Sequence, residues 1–243
     1  MAKEKKVQEG PFKLEHISPK ELGGLAMPNF CPRCFWIKAH LGFKAPFSTF
    51  PGIFSNIDSY SKKITTVHIA SKQNAPSWLM KFGSLATQMP AMHWSKFAFV
   101  DPTTGVLIRG AYDEMFRLDD GTLAILDYKT AKFTEGQDKL LPIYSVQLSG
   151  YRWIAKQLGM GETSVAGLIY YEPNSEATPD DITVDGFKMT FTAHILPVQT
   201  DLIQFEHYIA EAKRIADLPT PPPSAEKCKD CQLIEEIRGL AFA

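Results

Sequence analysis

Four cysteines stand as two Cys-x-x-Cys pairs near opposite ends of a 243-residue chain: Cys31 and Cys34 in CPRC, Cys228 and Cys231 in CKDC. In a reducing compartment such pairs read as metal or cluster ligands before disulfides. If both pairs close one tetrahedral site, the N-terminal region and the C-terminal tail must meet. Everything between them then folds as one body. From spacing alone zinc is the natural ion, since two such pairs make a four-cysteine structural site.

The interior of the chain can supply that body. Its 44% apolar content is ordinary for a protein with a real core. A net charge of -1 and a pI near 6.6 argue against a broad basic face. Any nucleic-acid contact must be local or run partly through metal ions. No run of 18 apolar residues suggests a membrane span, and MAKEKKVQEG does not resemble a secretory signal. A cytoplasmic protein is the expectation.

The pattern predicts an α/β fold in a single domain. Residues 1–15 read as a mobile tail and 16–95 as a helical region with CPRC. Residues 96–198 read as a sheet core, and 199–243 as a helix, a stiff PTPPPSAE linker and CKDC. SPKE opens a helix, with Ser18 as cap, Pro19 in the first turn and Glu21 closing a capping box. A second helix spans NFCPRCFWIKAHLG, KAPFSTFPG is a loop, and residues 53–65 are helical. Residues 66–95 show no decisive pattern. AFVD, GVLIRGAYDEMFRL and TLAILDYKT read as a three-strand meander. A helix over 142–158 stops at Gly159. SVAGLIYYEP and FKMTFTAHILPV are strands, and DLIQFEHYIAEAKRIADL is a helix. A strand joining the meander after a crossover helix makes the sheet mixed.

The stretch GAYDEMFRLDDGTLAILDYKT carries the chemistry. With DDG as a three-residue loop, Asp113 falls opposite Asp127, where side chains on one face stand roughly 4.5–5.5 Å apart at Cβ. Lys129, two residues on, projects from the same face. Phe116, Leu126 and Tyr128 point to the other face, as does Glu114. A two-residue Asp-Gly turn would instead set Glu114 opposite Asp127. Two carboxylates this close call for a cation between them, and hard cations take oxygen ligands. Gln147 and Tyr151, four apart, share one face of the following helix. The bland alternative is a solvated hairpin with scattered charges.

These motifs, Gly110-Ala-Tyr-Asp113, Asp127-Tyr-Lys129 and Gln147-Leu-Ser-Gly-Tyr151, resemble in order and spacing those of the PD-(D/E)XK nuclease superfamily, and most closely the RecB-like exonucleases, including those of CRISPR adaptation. The resemblance runs roughly from Ser18 to Cys231 and implies an αβββαβ core and a metal-dependent DNA exonuclease. It implies that Asp113, Asp127 and the backbone carbonyl of Tyr128 ligate Mg²⁺ or Mn²⁺. Lys129 would act on the attacking water, with Gln147 and Tyr151 beside the site. That branch has a metal-binding histidine on an early helix, a few residues after a glycine. Here Gly52 is followed by Asn56 and Asp58, and Asp58 is taken as the substitute. The branch also pairs a Cys-Pro-Arg near the N-terminus with C-terminal cysteines around a four-iron four-sulfur cluster. Cys31, Cys34, Cys228 and Cys231 are therefore expected to hold that cluster, with structural zinc as the alternative. The implied partners are DNA and other nuclease, helicase or CRISPR adaptation proteins. A catalytically impaired DNA-end-binding scaffold and a site-specific endonuclease are rivals on the same core. Lys62, Lys63, Lys129, Lys132, Lys139 and Arg152 are candidates for a local phosphate-binding rim.

Overall fold

The computed structural model describes residues 11–43, 52–134 and 139–241. In chain order the elements are β1 (His16–Ile17), α1 (Pro19–Leu22), α2 (Pro32–His40), α3 (Gly52–Lys72), β2 (Leu85–Gln88), β3 (Ala98–Val100), β4 (Leu107–Arg109), β5 (Glu114–Leu118) and β6 (Leu123–Lys129). They continue as α4 (Leu141–Gln157), β7 (Thr163–Pro173), β8 (Ile182–Thr183), β9 (Gly186–Phe187), β10 (Phe191–Pro197), α5 (Leu202–Ala216) and α6 (Lys229–Ala241). The main sheet has the order β10-β7-β6-β5-β2. Its β6–β7 pair is parallel and the other pairs are antiparallel. The sheet is mixed because α4 carries the chain back to start β7 beside β6.

Alternation along the central strands divides two cores. Met115, Leu123, Ile125 and Leu168 face α4 and α5, where they meet Leu148, Trp153 and Phe205. Phe116, Ala124, Leu126 and Tyr128 face the other way, onto Leu79 and Phe82 of a short 3₁₀ segment, with Ile69 of α3 at the margin. The apolar faces of the helices cover both sides of the sheet, the arrangement a parallel pair requires.

Local signals work as expected at several points. Ser18 and Glu21 form the capping box, with Glu21 N–H donating to Ser18 Oγ and Ser18 N–H donating to Glu21 Oε2. DDG is a three-residue loop. Leu118 N–H donates to Thr122 O, and Gly121 sits at φ +83°, the left-handed position that a glycine takes without Cβ strain.

Three expectations change. The meander is not one sheet: β3 and β4 pair with β1 in a separate three-stranded sheet, and the chain breaks between β4 and β5. Gly110 lies against the Tyr151 ring, where a Cβ would come within 2.7 Å of Cε1. The strand is thus redirected by packing that its own alternation does not encode. The vacated edge of the main sheet is taken by β2, from the stretch without a decisive pattern. The N-terminal tail is also shorter than residues 1–15. Residues 1–10 lie outside the described residues, but Leu14 is buried and its N–H donates to Asp217 Oδ1 at 2.7 Å. Phe12 stacks on His40. Finally, α3 runs to Lys72, well past residue 65. Most of the expected 44–52 loop, residues 44–51, lies outside the described residues.

Candidate active site and thiolate centre

The hairpin register decides where the acidic groups stand. Glu114 pairs with Leu126, Met115 with Ile125, Phe116 with Ala124 and Arg117 with Leu123, which places Asp113 across from Asp127. The Asp113 carboxylate turns to the end of the ladder, and Oδ2 accepts the Tyr128 N–H at 2.8 Å. Asp127 is 3% exposed, and that burial fixes its chemistry. Loss of solvation, then the Asp113 charge, push its carboxyl up to about 6 against the pull of Lys129 and Lys62.

The α4 side supplies polar partners. Gln147 Nε2 donates to Asp127 Oδ1 at 3.1 Å and to the Tyr151 hydroxyl at 2.8 Å. Lys129 Nζ donates to Gln147 Oε1 at 3.4 Å and lies 4.3 Å from the centre of the Tyr144 ring. It also stands 2.5 Å from Asp127 Oδ2. That contact is an ion pair outside hydrogen-bonding alignment, so Oδ2 is a buried oxygen without a directed donor. The helical spacing of Gln147 and Tyr151 explains why the Tyr151 hydroxyl can hold the amide that bonds Asp127.

The α3 side was only partly legible. Asp58 reaches the pair through Lys62, whose Nζ lies 2.7 Å from Asp58 Oδ2 and 2.9 Å from Asp113 Oδ1. Burial lowers the Lys62 pKa, but the Asp113 and Asp58 charges outweigh it and the net shift is upward. The Asp58 side chain is 49% exposed. Lys62 was expected only as a rim residue. Its i,i+4 spacing from Asp58 was the available signal, whereas its contact with Asp113 needs the tertiary fold.

Across the sheet, Glu114 is 5% exposed, which its position on the apolar face had made awkward. It accepts from Gln88 Nε2 at 2.8 Å and from the Tyr128 hydroxyl at 3.2 Å. Thr65 of α3 joins the same hydroxyl at 2.5 Å. Buried polar groups need such partners. The Thr65–Tyr128 contact ties α3 to the strand carrying Asp127 and Lys129. Burial raises the Glu114 pKa, opposed by the bonds from Gln88 and Tyr128.

The cysteines meet at the other end of the chain's path. Cys31 starts α2, Cys34 lies within it, and Cys228 and Cys231 flank the start of α6. Their sulfurs lie 3.6 Å (Cys31–Cys231), 3.5 Å (Cys34–Cys228) and 3.4 Å (Cys34–Cys231) apart, and all four fall within 4.8 Å of one another. Burial raises the Cys31 pKa, but the Ala225 and Cys34 backbone N–H groups and the neighbouring thiols outweigh it and bring it to about 7. Arg33 and Glu235 add an ion pair between α2 and α6 at 2.6 Å.

With the carboxylates and Lys129 in place, the family model described as "PD-(D/E)XK nuclease superfamily" matches residues 63–235. The chain belongs to the PD-(D/E)XK nuclease superfamily. A solved structure described as "Crystal structure of SSO0001" aligns over 88% of this chain and 80% of its own, at 15% identity and a TM-score of 0.38. A search of curated proteins finds no match.

PD-(D/E)XK nucleases use divalent metal ions, and the residues present fit one. Asp113 and Asp127 offer hard oxygen donors, and the buried Asp127 Oδ2, which lacks an aligned hydrogen-bond donor, already draws one cation, the Lys129 ammonium, to 2.5 Å. The thiolate set is soft and suits a different metal. Among the described residues no helix is long and apolar enough to cross a membrane.

Proposed function

We propose that this PD-(D/E)XK protein is a metal-dependent deoxyribonuclease, an exonuclease that hydrolyses phosphodiester bonds of single-stranded or frayed DNA. Repair, recombination or CRISPR spacer acquisition in the cytoplasm, beside other nuclease, helicase or adaptation proteins, is the setting its motif set suggests. The observation that carries the activity is Asp127. Its Oδ2 is buried without a directed donor, Gln147 holds its other oxygen, and Lys129 stands against it.

A bound Mg²⁺ or Mn²⁺ would lower the pKa of its water and offset charge on the phosphoryl oxygens. Asp113, Asp127 and the Tyr128 carbonyl would hold it. Lys129, poised between Asp127 and the Tyr144 ring, would orient the attacking water. Tyr151 anchors Gln147, and Gln147 keeps Asp127 and Lys129 in register. The test is digestion of labelled single-stranded and blunt duplex DNA with Mg²⁺ or Mn²⁺. Asp127→Ala and Lys129→Ala should each lower the rate at least about 100-fold. Equal digestion by all three proteins, or none by the wild type, overturns the activity. A wild type that binds DNA ends without cutting them identifies the scaffold instead.

For the cysteines we propose one structural zinc ion. With bonds of about 2.3 Å, tetrahedral thiolates stand roughly 3.8 Å apart, which supports a single ion at the observed spacing. In a four-iron cluster each thiolate binds its own iron, so the sulfurs spread further than these do. The spacing supports zinc over the expected cluster. Anaerobically purified protein should be colourless, with one zinc per chain. Brown protein with four irons refutes the assignment.

A further inference from the structure

The position of Lys62 bears on how many ions the carboxylate site takes. Its ammonium is held between two carboxylates, Asp58 at 2.7 Å and Asp113 at 2.9 Å. It is also held from behind. Thr65, one turn further along α3, meets the Tyr128 hydroxyl, and Ser61 is buried beside Lys62 with its Oγ donating to Ile57 O. Helix α3 is thus fastened to β6 on the side that presents Lys62. The other Asp113 oxygen accepts the Tyr128 N–H. One Asp113 oxygen thus accepts a hydrogen bond and the other lies against the Lys62 ammonium, as Asp127 Oδ2 lies against that of Lys129.

We infer that Lys62 is a built-in cation of the active site, filling the α3 side so that the site accepts a single divalent ion, between Asp113 and Asp127. Asp58 is then the anchor of Lys62 and not a metal ligand. The inference rests on the metal-dependent reading above and deepens it. Charge supports it. Asp58, Asp113 and Asp127 carry three negative charges against two positive charges on Lys62 and Lys129. Glu114 is turned to the opposite face, where Gln88 and Tyr128 bond it. One divalent ion and one bridging phosphodiester then bring the site to neutrality. A second ion would leave two uncompensated positive charges in a half-buried cleft, which is costly.

The sequence pattern contains the same logic. Where the resembling family places a histidine that adds a ligand, this helix places an Asp58–Lys62 pair at i,i+4. Such a pair brings a positive charge that stands against a further ion there.

The experiment counts Mn²⁺ on the full-length protein by the loss of the free-ion paramagnetic resonance signal, independent of DNA cleavage. Wild type should bind one Mn²⁺. Lys62→Met should bind Mn²⁺ at least tenfold more tightly or take up a second ion, because a like charge beside Asp113 is gone. Lys62→Gln serves the same purpose should the methionine variant not fold. Asp58→Ala should keep Mn²⁺ affinity within about threefold of wild type. Two ions on the wild type, unchanged or weaker binding by both Lys62 variants, or a tenfold loss in Asp58→Ala each overturn the inference. Failure of the wild type to bind Mn²⁺ overturns it together with the metal-dependent reading. The expected Mn²⁺ counts without DNA cleavage would overturn the nuclease activity and leave the role of Lys62 supported.

Discussion

The chain builds two clusters of potential metal ligands, and they are assembled in opposite ways. The carboxylate site comes from one hairpin and the helix after it, with α3 added from the side. The thiolate centre joins residues that stand 194 to 200 apart in sequence. The first uses hard oxygens, one of them buried without a directed donor. The second uses four sulfurs that all lie within 4.8 Å of one another. A site for chemistry keeps an unsatisfied group where substrate and metal arrive. A site for structure satisfies every ligand, and closing a long loop is where a cross-link constrains the unfolded chain most.

That contrast predicts opposite responses to mutation. Cys34→Ser should abolish stoichiometric zinc and destabilise the fold by more than about 4 kcal/mol, the range for losing a structural metal. Denaturant midpoints and metal content measure it, and a stable, zinc-loaded variant would break the distinction between the centres.

Asp127→Asn should do the reverse, removing activity while stabilising the metal-free protein near neutral pH. The carboxyl is raised to about 6, above its unfolded value, so its contribution is fully present below about pH 4 and lost as pH rises through 6. The metal-free wild type should lose up to about 3 kcal/mol across that window through this residue. The asparagine variant should show a flatter profile by thermal melts in EDTA, and an unchanged slope would remove Asp127 as the strained group. Metal binding should strengthen across the same window, since the ion competes with the proton.

The smallest effect belongs to the face that only supports the site. Tyr128→Phe removes the hydroxyl shared by Thr65 and Glu114 and should cost about 1–2 kcal/mol. Activity per folded molecule should fall by less than tenfold. A loss as large as that of Lys129→Ala would mean that α3 placement, and not the carboxylates alone, limits the reaction.

Short-range features were readable because their determinants lie close together in sequence. The DDG loop sets the hairpin register, so Asp113 opposes Asp127. Helical spacing puts Gln147 and Tyr151 on one face, and Ser18 with Glu21 caps α1. The matched cysteine pairs foretold that the ends of the chain would meet. The break between β4 and β5 was not readable. It depends on Gly110 meeting a ring 41 residues away in sequence, Tyr151. The recruitment of β2 to the edge, the partners of buried Glu114 and the Lys62–Asp113 contact also depend on distant segments.

The sequence by itself determined that Asp113 would oppose Asp127 and that Gln147 and Tyr151 would share a helix face, because turn length and helical period act over a few residues. Tertiary structure decided which oxygen is left without a directed donor, which lysine stands beside Asp113 and how closely the sulfurs approach. Those are properties of packing between distant segments, and no local pattern specifies them.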